Sequence, residues 1–481
     1  MPVSRERETL MVQAERAVLA AVRLPDANYD PANPFGELRS LAEQAGAIVV
    51  GELEQRKPKP EPATFIGTGK LEELKAMCDE LDAGVVIFDH DLSPRHIRNI
   101  EEVLTPKAKE GEPPPKARKV VDRSELILDV FAARATTHEA KLAVELAQLE
   151  YTYPRLRAMW DHLERIVGAG GGGVGVAGIG TRGPGEQQLE IDRRLVQRRV
   201  LDLKRDLAEV HARKQRMVRD RRKDHFTVCI VGYTNAGKST LFNSLTAGGA
   251  YADDRLFATL VTRTRDWDLG GGLAVLLSDT VGFVRDLPHH LIASFRATLE
   301  EATHADLLLV VLDAADPAAE LQYQTVMQTL DSIEAEVAEA EGTDSKGERE
   351  GWKPPERLLL LNKTDRLTDN RSLLVWQAKV PGAIAISALS PGGPGHEELR
   401  RRVLQAAQMG ITEVEVVASM ADGRTLQRLE NRAQVLSREY EEARDGVPAR
   451  VRMRVRIGRR QLDQLRSGAA WLQVRELAPS P

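Results

Sequence analysis

The sequence predicts a multi-domain α/β protein: a doubly wound, mostly parallel sheet, preceded by another α/β domain and a helical-hairpin stalk, and followed by a small α+β domain. Three observations predict it. Short runs of Val, Ile and Leu alternate with helical lengths in two separate stretches; two long leucine-spaced segments flank a glycine-rich one; and a strict period-2 strand lies near the C-terminus. At 481 residues the chain is about three times the usual domain length, so several packed units are expected.

Residues 1–136 are expected to form the first unit. Ala17–Val22, Ala47–Val50 and Val85–Phe88 read as strands and Leu38–Gly46 and Leu71–Leu81 as helices, a βαβ rhythm. Pro113, Pro114 and Pro115 predict an exposed connector over 106–119, because proline removes backbone donors. Residues 137–225 are expected to be the stalk. Leu142, Leu146, Leu149, Leu156 and Leu163 recur at helical spacing with Gly168 as the expected stop, and helix resumes from Glu186 to Asp224 with Leu189, Leu195, Leu201 and Leu207 expected on one side. Between them, residues 168–185 read GAGGGGVGVAGIGTRGPG, too glycine-rich to build a core, so a mobile loop at the tip of an αα-hairpin is expected. From Arg193 to Lys223 there are 13 basic residues against 4 acidic ones, which suits a phosphate backbone, although a solvated helix face would look the same.

Residues 226–408 carry apolar runs at Phe226–Val231, Ala274–Leu277, Leu307–Leu312, Leu358–Leu361 and Ala383–Ile386, as a parallel sheet buried on both faces requires. The charged stretch 334–356 looks like a surface insertion. Residues 409–481 form the last unit, where alternation over 449–457 puts Arg450, Arg452, Arg454 and Arg456 on one strand face: a charged edge, or a second RNA surface.

Composition narrows the function classes. With 42% hydrophobic and 29% charged residues the chain can bury cores beneath a solvated surface, while 4% aromatic argues against a stacking-rich single-strand binder. A net charge of -5 is no generic polycation. The two cysteines, Cys78 and Cys229, lack CxxC spacing, which argues against a disulfide scaffold or a cysteine zinc site and fits a reducing cytosol. The longest strongly apolar run, 306–312, is far short of the ~20 residues that span a bilayer, and the N-terminus lacks an apolar signal core. A cytoplasmic protein is expected; peripheral membrane association is not predicted.

The chemistry is concentrated in 226–408. Gly232-Tyr233-Thr234-Asn235-Ala236-Gly237-Lys238-Ser239 satisfies GxxxxGK[ST] directly after a strand and before a helix that opens at Thr240. Glycine backbone must approach phosphates closely, Lys238 neutralises β/γ charge, and the Ser239 hydroxyl suits Mg²⁺. Asp279-Thr280-Val281-Gly282 ends the next strand, where Asp279 reaches Mg²⁺ through water and the Gly282 amide senses a γ-phosphate. Asn362-Lys363-Thr364-Asp365 follows another strand. Asp365 can accept from guanine N1 and N2, Asn362 can touch the major-groove edge, the Lys363 stem can cover the ring, and Ser387-Ala388 can bring an amide to O6. Adenine lacks the N1 and N2 donors, so GTP is expected over ATP. In Phe257-Ala258-Thr259-Leu260, Thr259 is the expected second Mg²⁺ ligand beside the nucleotide-facing Phe257, with Thr262 and Thr264 as competitors. Lys238, Thr259 and Gly282 are the candidates that touch the reacting phosphate. Phe283 stands where many GTPases carry a water-orienting glutamine, so slow intrinsic hydrolysis raised by a partner is expected. Asn235 is a candidate to bind K⁺ beside the phosphates, or is a plain turn residue.

Further strings carry a family resemblance: Phe65–Lys70 (FIGTGK), Phe88–Pro94 (FDHDLSP), Val121–Asp129 (VDRSELILD), Gly183–Glu190 (GPGEQQLE) with Asp192-Arg193-Arg194, and Leu287-Pro288-His289. Together and in this order they resemble the HflX-type GTPases of the Obg-HflX superfamily, over roughly residues 15–410. Gln187 departs from the family's usual Thr or Ser. The resemblance implies a P-loop GTPase domain and binding to the large ribosomal subunit and its rRNA. It also implies the splitting or rescue of stalled ribosomes, with the glycine loop directed toward the peptidyl-transferase region and hydrolysis releasing the protein. The alternative is a GTP-dependent signalling switch acting on a protein or membrane-associated partner. A monomer is expected. Gly67-Thr68-Gly69-Lys70 lacks the full P-loop pattern and is assigned no second nucleotide; Phe65, Phe88 and His90 are expected to serve packing and turn contacts.

Overall fold

The computed structural model describes residues 15–25, 29–106, 117–169, 184–246, 262–270, 273–286, 301–341, 353–409, 411–420, 433–441, 449–458 and 473–476, with single positions at 423, 426 and 429. The first sheet is parallel, in the order β2-β1-β3-β4, from β1 (Arg16–Arg23), β2 (Ile48–Arg56), β3 (Val85–Phe88) and β4 (Lys119–Val121). Seven successive residues of β1 are buried, so both faces must be covered. On one face Leu38 and Leu41 of α1 (Gly36–Gln44) meet Leu126, Ile127 and Phe131 of α4 (Arg123–Arg134). On the other lie Leu71 and Leu74 of α2 (Thr68–Glu80) and Ile100 and Leu104 of α3 (Pro94–Leu104). Two of these helices, α3 and α4, start on a side-chain cap. Asp122 caps α4 by accepting from the Glu125 N–H at 2.9 Å, and Ser93 caps α3 with Pro94 in its first turn.

Two long helices follow, α5 (His138–Ala169) and α6 (Pro184–Asp224). Their roots join the first core: Leu142, Ala143 and Leu146 from α5 and Leu203 and Leu207 from α6. The helix continues through Gly168, the expected stop, to Ala169. The stripe expected on α6 is also corrected: Leu195 and Leu201 are exposed, and Val200, Leu203 and Leu207 face the core instead. Six-residue steps advance about 240° on a helix, so 195, 201 and 207 cannot share a face, whereas three- and four-residue steps do. Residues 170–183 of the glycine-rich stretch lie outside the described residues.

The second sheet has the order β10-β9-β8-β5-β7-β6. It comprises β5 (Thr227–Gly232), β6 (Arg263–Gly270), β7 (Leu273–Asp279), β8 (Leu307–Asp313), β9 (Glu356–Asn362) and β10 (Ile384–Ala385). Only β6 runs antiparallel. Helix α7 (Lys238–Leu245) follows β5, and α8 (Ala319–Glu341) follows β8. The latter runs into the stretch taken as a surface insertion: Val337 is buried, and the buried Glu334 pairs with Arg357 at 2.6 Å. Residues 342–352 are outside the description. The chain continues through α9 (Arg371–Lys379) and α10 (Pro394–Met409).

A third, antiparallel sheet has the order β12-β13-β11-β14, from β11 (Ile411–Ser419), β12 (Gln434–Glu441), β13 (Arg450–Gly458) and β14 (Gln473–Glu476). The alternation of β13 is as expected, with Val451, Met453 and Val455 inward. Three of its arginines meet carboxylates across the strands: Arg452 pairs with Glu415 and Glu441, and Arg454 and Arg456 pair with Glu413. This is a balanced ladder, which weakens the expectation of an RNA surface there. Among the described residues no helix is long and apolar enough to cross a membrane.

Candidate nucleotide site

Strand order reverses around β5, which has β7 on one side and β8 on the other, and the crevice beyond its carboxyl end is where such sheets bind ligands. The loop leaving β5 needs its glycines. Gly232 has φ 152°, and a Cβ there would lie 2.2 Å from the Val311 carbonyl oxygen. Gly237 has φ 94°, and its Cβ would lie 2.3 Å from Asn362 Nδ2. Asn235 takes the left-handed region at φ 61° and is exposed. Gly237 caps α7 without a side-chain acceptor, so the first N–H groups of that helix face the loop.

Lys238 opens α7 and folds back over the loop, its Nζ donating to the Tyr233 carbonyl at 2.6 Å. Burial pushes its ammonium down to about 8; Asp279 opposes that shift and Lys363 adds to it. Ser239 Oγ donates to Asp279 Oδ2 at 2.8 Å, and Asp279 is fully buried at the end of β7. A hydroxyl and a carboxylate converging beside a phosphate loop are hard oxygen donors that fit Mg²⁺. Thr264 Oγ1 lies 2.9 Å from Ser278 Oγ within the β6–β7 pair, which argues against it as a metal ligand. Phe257 and Thr259 lie outside the described residues.

Gly282 lies against the loop: a Cβ would sit 2.7 Å from Lys238 Nζ and 2.9 Å from Thr234 Cα. Backbone bonds hold it there. Thr234 N–H donates to the Phe283 carbonyl at 2.7 Å, and Phe283 N–H to the Gly232 carbonyl at 3.0 Å. The Phe283 side chain is buried in the core with Leu308 and Ala302. That is why an aromatic residue is tolerated where water-orienting glutamines stand.

The base-reading residues are braced to one another. Asn362, at the end of β9 and 1% exposed, donates from Nδ2 to the Ala236 carbonyl at 2.8 Å. Its Oδ1 accepts from the Ala388 N–H at 3.0 Å. In this arrangement the Asn362 amide links the phosphate loop to the segment after β10, and the Ala388 N–H points to that amide, not outward as expected. Asp365 is exposed and accepts from Ser387 Oγ. Lys363, at φ 60°, is held by Asp313 Oδ2 at 2.7 Å.

Comparison with known proteins places these features in a family. The description "GTP-binding GTPase N-terminal" matches residues 33–132, "GTP-binding GTPase Middle Region" 134–222, and "50S ribosome-binding GTPase" 227–344. The GTPase HflX of Escherichia coli is 36% identical over 430 residues, spanning 89% of this chain and 91% of that one. The GTPase HflX of Magnetococcus marinus is 40% identical over 88% and 89%. The chain belongs to the HflX family of GTPases. The GTPase HflX of Lacrimispora saccharolytica is 44% identical over 66% of this chain. A solved GTP-binding protein of Sulfolobus solfataricus in complex with GDP shares 25% identity at a TM-score of 0.39, covering 82% of this chain and 99% of that one. As an HflX-family member the chain is an enzyme that hydrolyses GTP, and its P-loop and doubly wound sheet are those the sequence predicts.

Sequence reasoning missed residues that hold the site from outside the motifs. Asp313 could have been noticed as an acid ending an all-apolar strand. Asp89 carries the same signal, because it directly follows the all-apolar β3, whereas Glu37 and Arg285 carry none: they meet only across the two domains, and Glu37 and its partner Tyr233 lie 196 positions apart.

Proposed function

We propose that this HflX-family GTPase binds the large ribosomal subunit in its GTP state, splits or rescues stalled ribosomes, and is released on hydrolysis. The single observation that supports this best is the charge of α6. Its buried stripe faces α5, whose Glu145 and Glu150 engage Arg199 and Lys204, while Arg194, Arg198, Arg205, Arg213 and Arg216 lie on the exposed surface. A long basic hairpin with a glycine-rich stretch between its helices suits a phosphate backbone better than it suits a globular partner. The matched description of a 50S ribosome-binding GTPase over 227–344 supports the same partner. The protein works as a cytoplasmic monomer, with units at 1–136, 137–225, 226–408 and 409–481.

In the site, the loop Gly232–Thr240 cradles the phosphates and Lys238 neutralises their charge. Gly282 donates its amide to the γ-phosphate, and Asp365 selects guanine while the Lys363 stem covers the ring, with Asn362, Ser387 and Ala388 bracing the pocket. Ser239 and Thr259 would hold Mg²⁺, with Asp279 reaching it through water, and the ion would draw charge from the β- and γ-oxygens. Asn235 holds K⁺ beside them. Phe283, with its side chain buried in the core, stands where the water-orienting glutamine would, so intrinsic turnover is slow and raised by a partner.

GTP turnover with and without large subunits, in K⁺ and in Na⁺ buffer, tests this. Strong stimulation together with salt-sensitive cosedimentation is expected. Unchanged slow turnover without cosedimentation would sink the ribosomal reading, and equal rates in K⁺ and Na⁺ would remove the role of Asn235.

A further inference from the structure

Switch II, the segment after Asp279, is held from the N-terminal sheet as well as from its own. Arg285, three residues beyond Gly282, enters a buried ionic socket at the carboxyl ends of β1 and β3. Its guanidinium meets Asp89 at 3.0 Å and lies 3.6 Å from Glu37. Asp89 is also bound by Arg23 at 2.8 Å and Arg123 at 2.7 Å, and Arg123 donates to the Arg285 carbonyl at 3.1 Å. The phosphate loop reaches the same socket. Tyr233 Oη donates to Glu37 at 2.6 Å and accepts from the Arg285 N–H at 2.8 Å. Val281 and Val284, flanking Gly282 and Phe283, pack in one core with Leu38, Leu41 and Phe131. Gly282 is therefore fixed from both sides beside Lys238.

We propose that Glu37 and Asp89 are positioning residues for the GTPase reaction: acting through Tyr233 and Arg285, they hold Gly282 where its amide meets the γ-phosphate. GDP lacks that phosphate, so the socket discriminates between the two nucleotides. By linkage, GTP binding steadies the contact between the two domains by the same factor. The inference rests on the assignment of Gly282 to the γ-phosphate.

The test is equilibrium binding of GDP and of a non-hydrolysable GTP analogue to the full chain, with the melting temperature followed in parallel. Arg285→Met is the informative variant, because Asp89 keeps Arg23 and Arg123 and the N-terminal core keeps its charge balance. The analogue is expected to bind about tenfold more weakly with GDP affinity unchanged, within the usual range of coupling between sites. Glu37→Gln and Tyr233→Phe are each expected to shift the ratio the same way, and the double variant by less than the product of the two. Gly282→Ala separates the two layers of the argument. If it lowers the GTP:GDP ratio while Arg285→Met does not, the socket does not position switch II and the proposal fails. If it leaves the ratio unchanged, the assignment of Gly282 fails and the proposal with it. An equal loss for both nucleotides in Arg285→Met would mark Arg285 as a structural brace and also overturn it.

Discussion

The two parallel sheets have the same crevice and use it oppositely. In each, strand order reverses around the first strand: β1 lies between β2 and β3, and β5 between β7 and β8. Beyond β5 the chain makes a loop of left-handed glycines and a helix N-terminus, leaving backbone donors and a buried lysine facing the crevice. At the carboxyl end of β1 it supplies Arg23. That guanidinium pairs with Asp89, donates to the Pro34 carbonyl at 2.6 Å and stacks 4.3 Å over Tyr29. Arg123 and Arg285 fill what remains. A switch point is thus only an opportunity: backbone donors turn it into a phosphate site, and the chain's own cations turn it into a joint between domains.

The largest expected effect breaks the open crevice. Lys238→Ala removes the cation that meets the β/γ charge, and GTP turnover is expected to fall by about 10²–10³, as when a preorganised transition-state contact is removed. A steady-state assay of phosphate release measures it; a loss under tenfold would mean that another cation does this work.

Breaking the filled crevice should instead cost stability. Burial alone would raise the Asp89 carboxyl, but Arg123, Arg285 and Arg23 outweigh it and hold the group below the usual range. Its contribution is therefore present above the unfolded carboxylate value of 3.8 and lost as pH falls through the lowered folded value. Asp89→Ala leaves buried arginines without that partner and is expected to destabilise the chain by about 3 kcal/mol, readable in a denaturant midpoint. A change under ~1 kcal/mol would show that water reaches the socket.

The open crevice is also expected to respond to pH. The Lys238 ammonium is lowered from 10.5 to about 8, so between these values the unfolded chain binds the extra proton and stability from this group rises with pH. GTP requires the charged form, so its affinity should weaken by up to about tenfold per pH unit above 8. Titrating binding of the GTP analogue from pH 7 to 9.5 checks the sign, and an unchanged affinity across that range would contradict it.

This contrast also explains what was legible. The open crevice depends on short-range needs, so glycine, lysine and serine at fixed spacing revealed it, and the all-apolar strands announced parallel sheets. The filled crevice depends on pairs such as Asp89 with Arg285, which no local pattern encodes. The leucine spacing of α6 misled because six-residue steps drift off a helical face. The roles of Asn362 and Ala388 were blurred for the same reason as the socket: their partners, Ala236 and each other, come from three separate loops.

The smallest effect sharpens the comparison most. Gly67-Thr68-Gly69-Lys70 looks like part of a phosphate loop, yet it follows β2, away from the reversal point, and Thr68 simply begins α2. A Cβ on Gly69 would meet nothing within 4 Å. Glycine inside a helix costs about 0.5–1 kcal/mol relative to alanine, so Gly69→Ala is expected to stabilise the chain by up to that amount without altering nucleotide binding. Gly237→Ala is the matched control: at φ 94° with Asn362 Nδ2 2.3 Å from the new carbon, it must distort the P-loop and weaken GTP. Measured side by side, the two substitutions should shift melting in opposite directions, and only Gly237→Ala should weaken binding in a GTP-analogue titration. A loss of nucleotide binding in Gly69→Ala would mean that the N-terminal sheet uses this loop for phosphate after all.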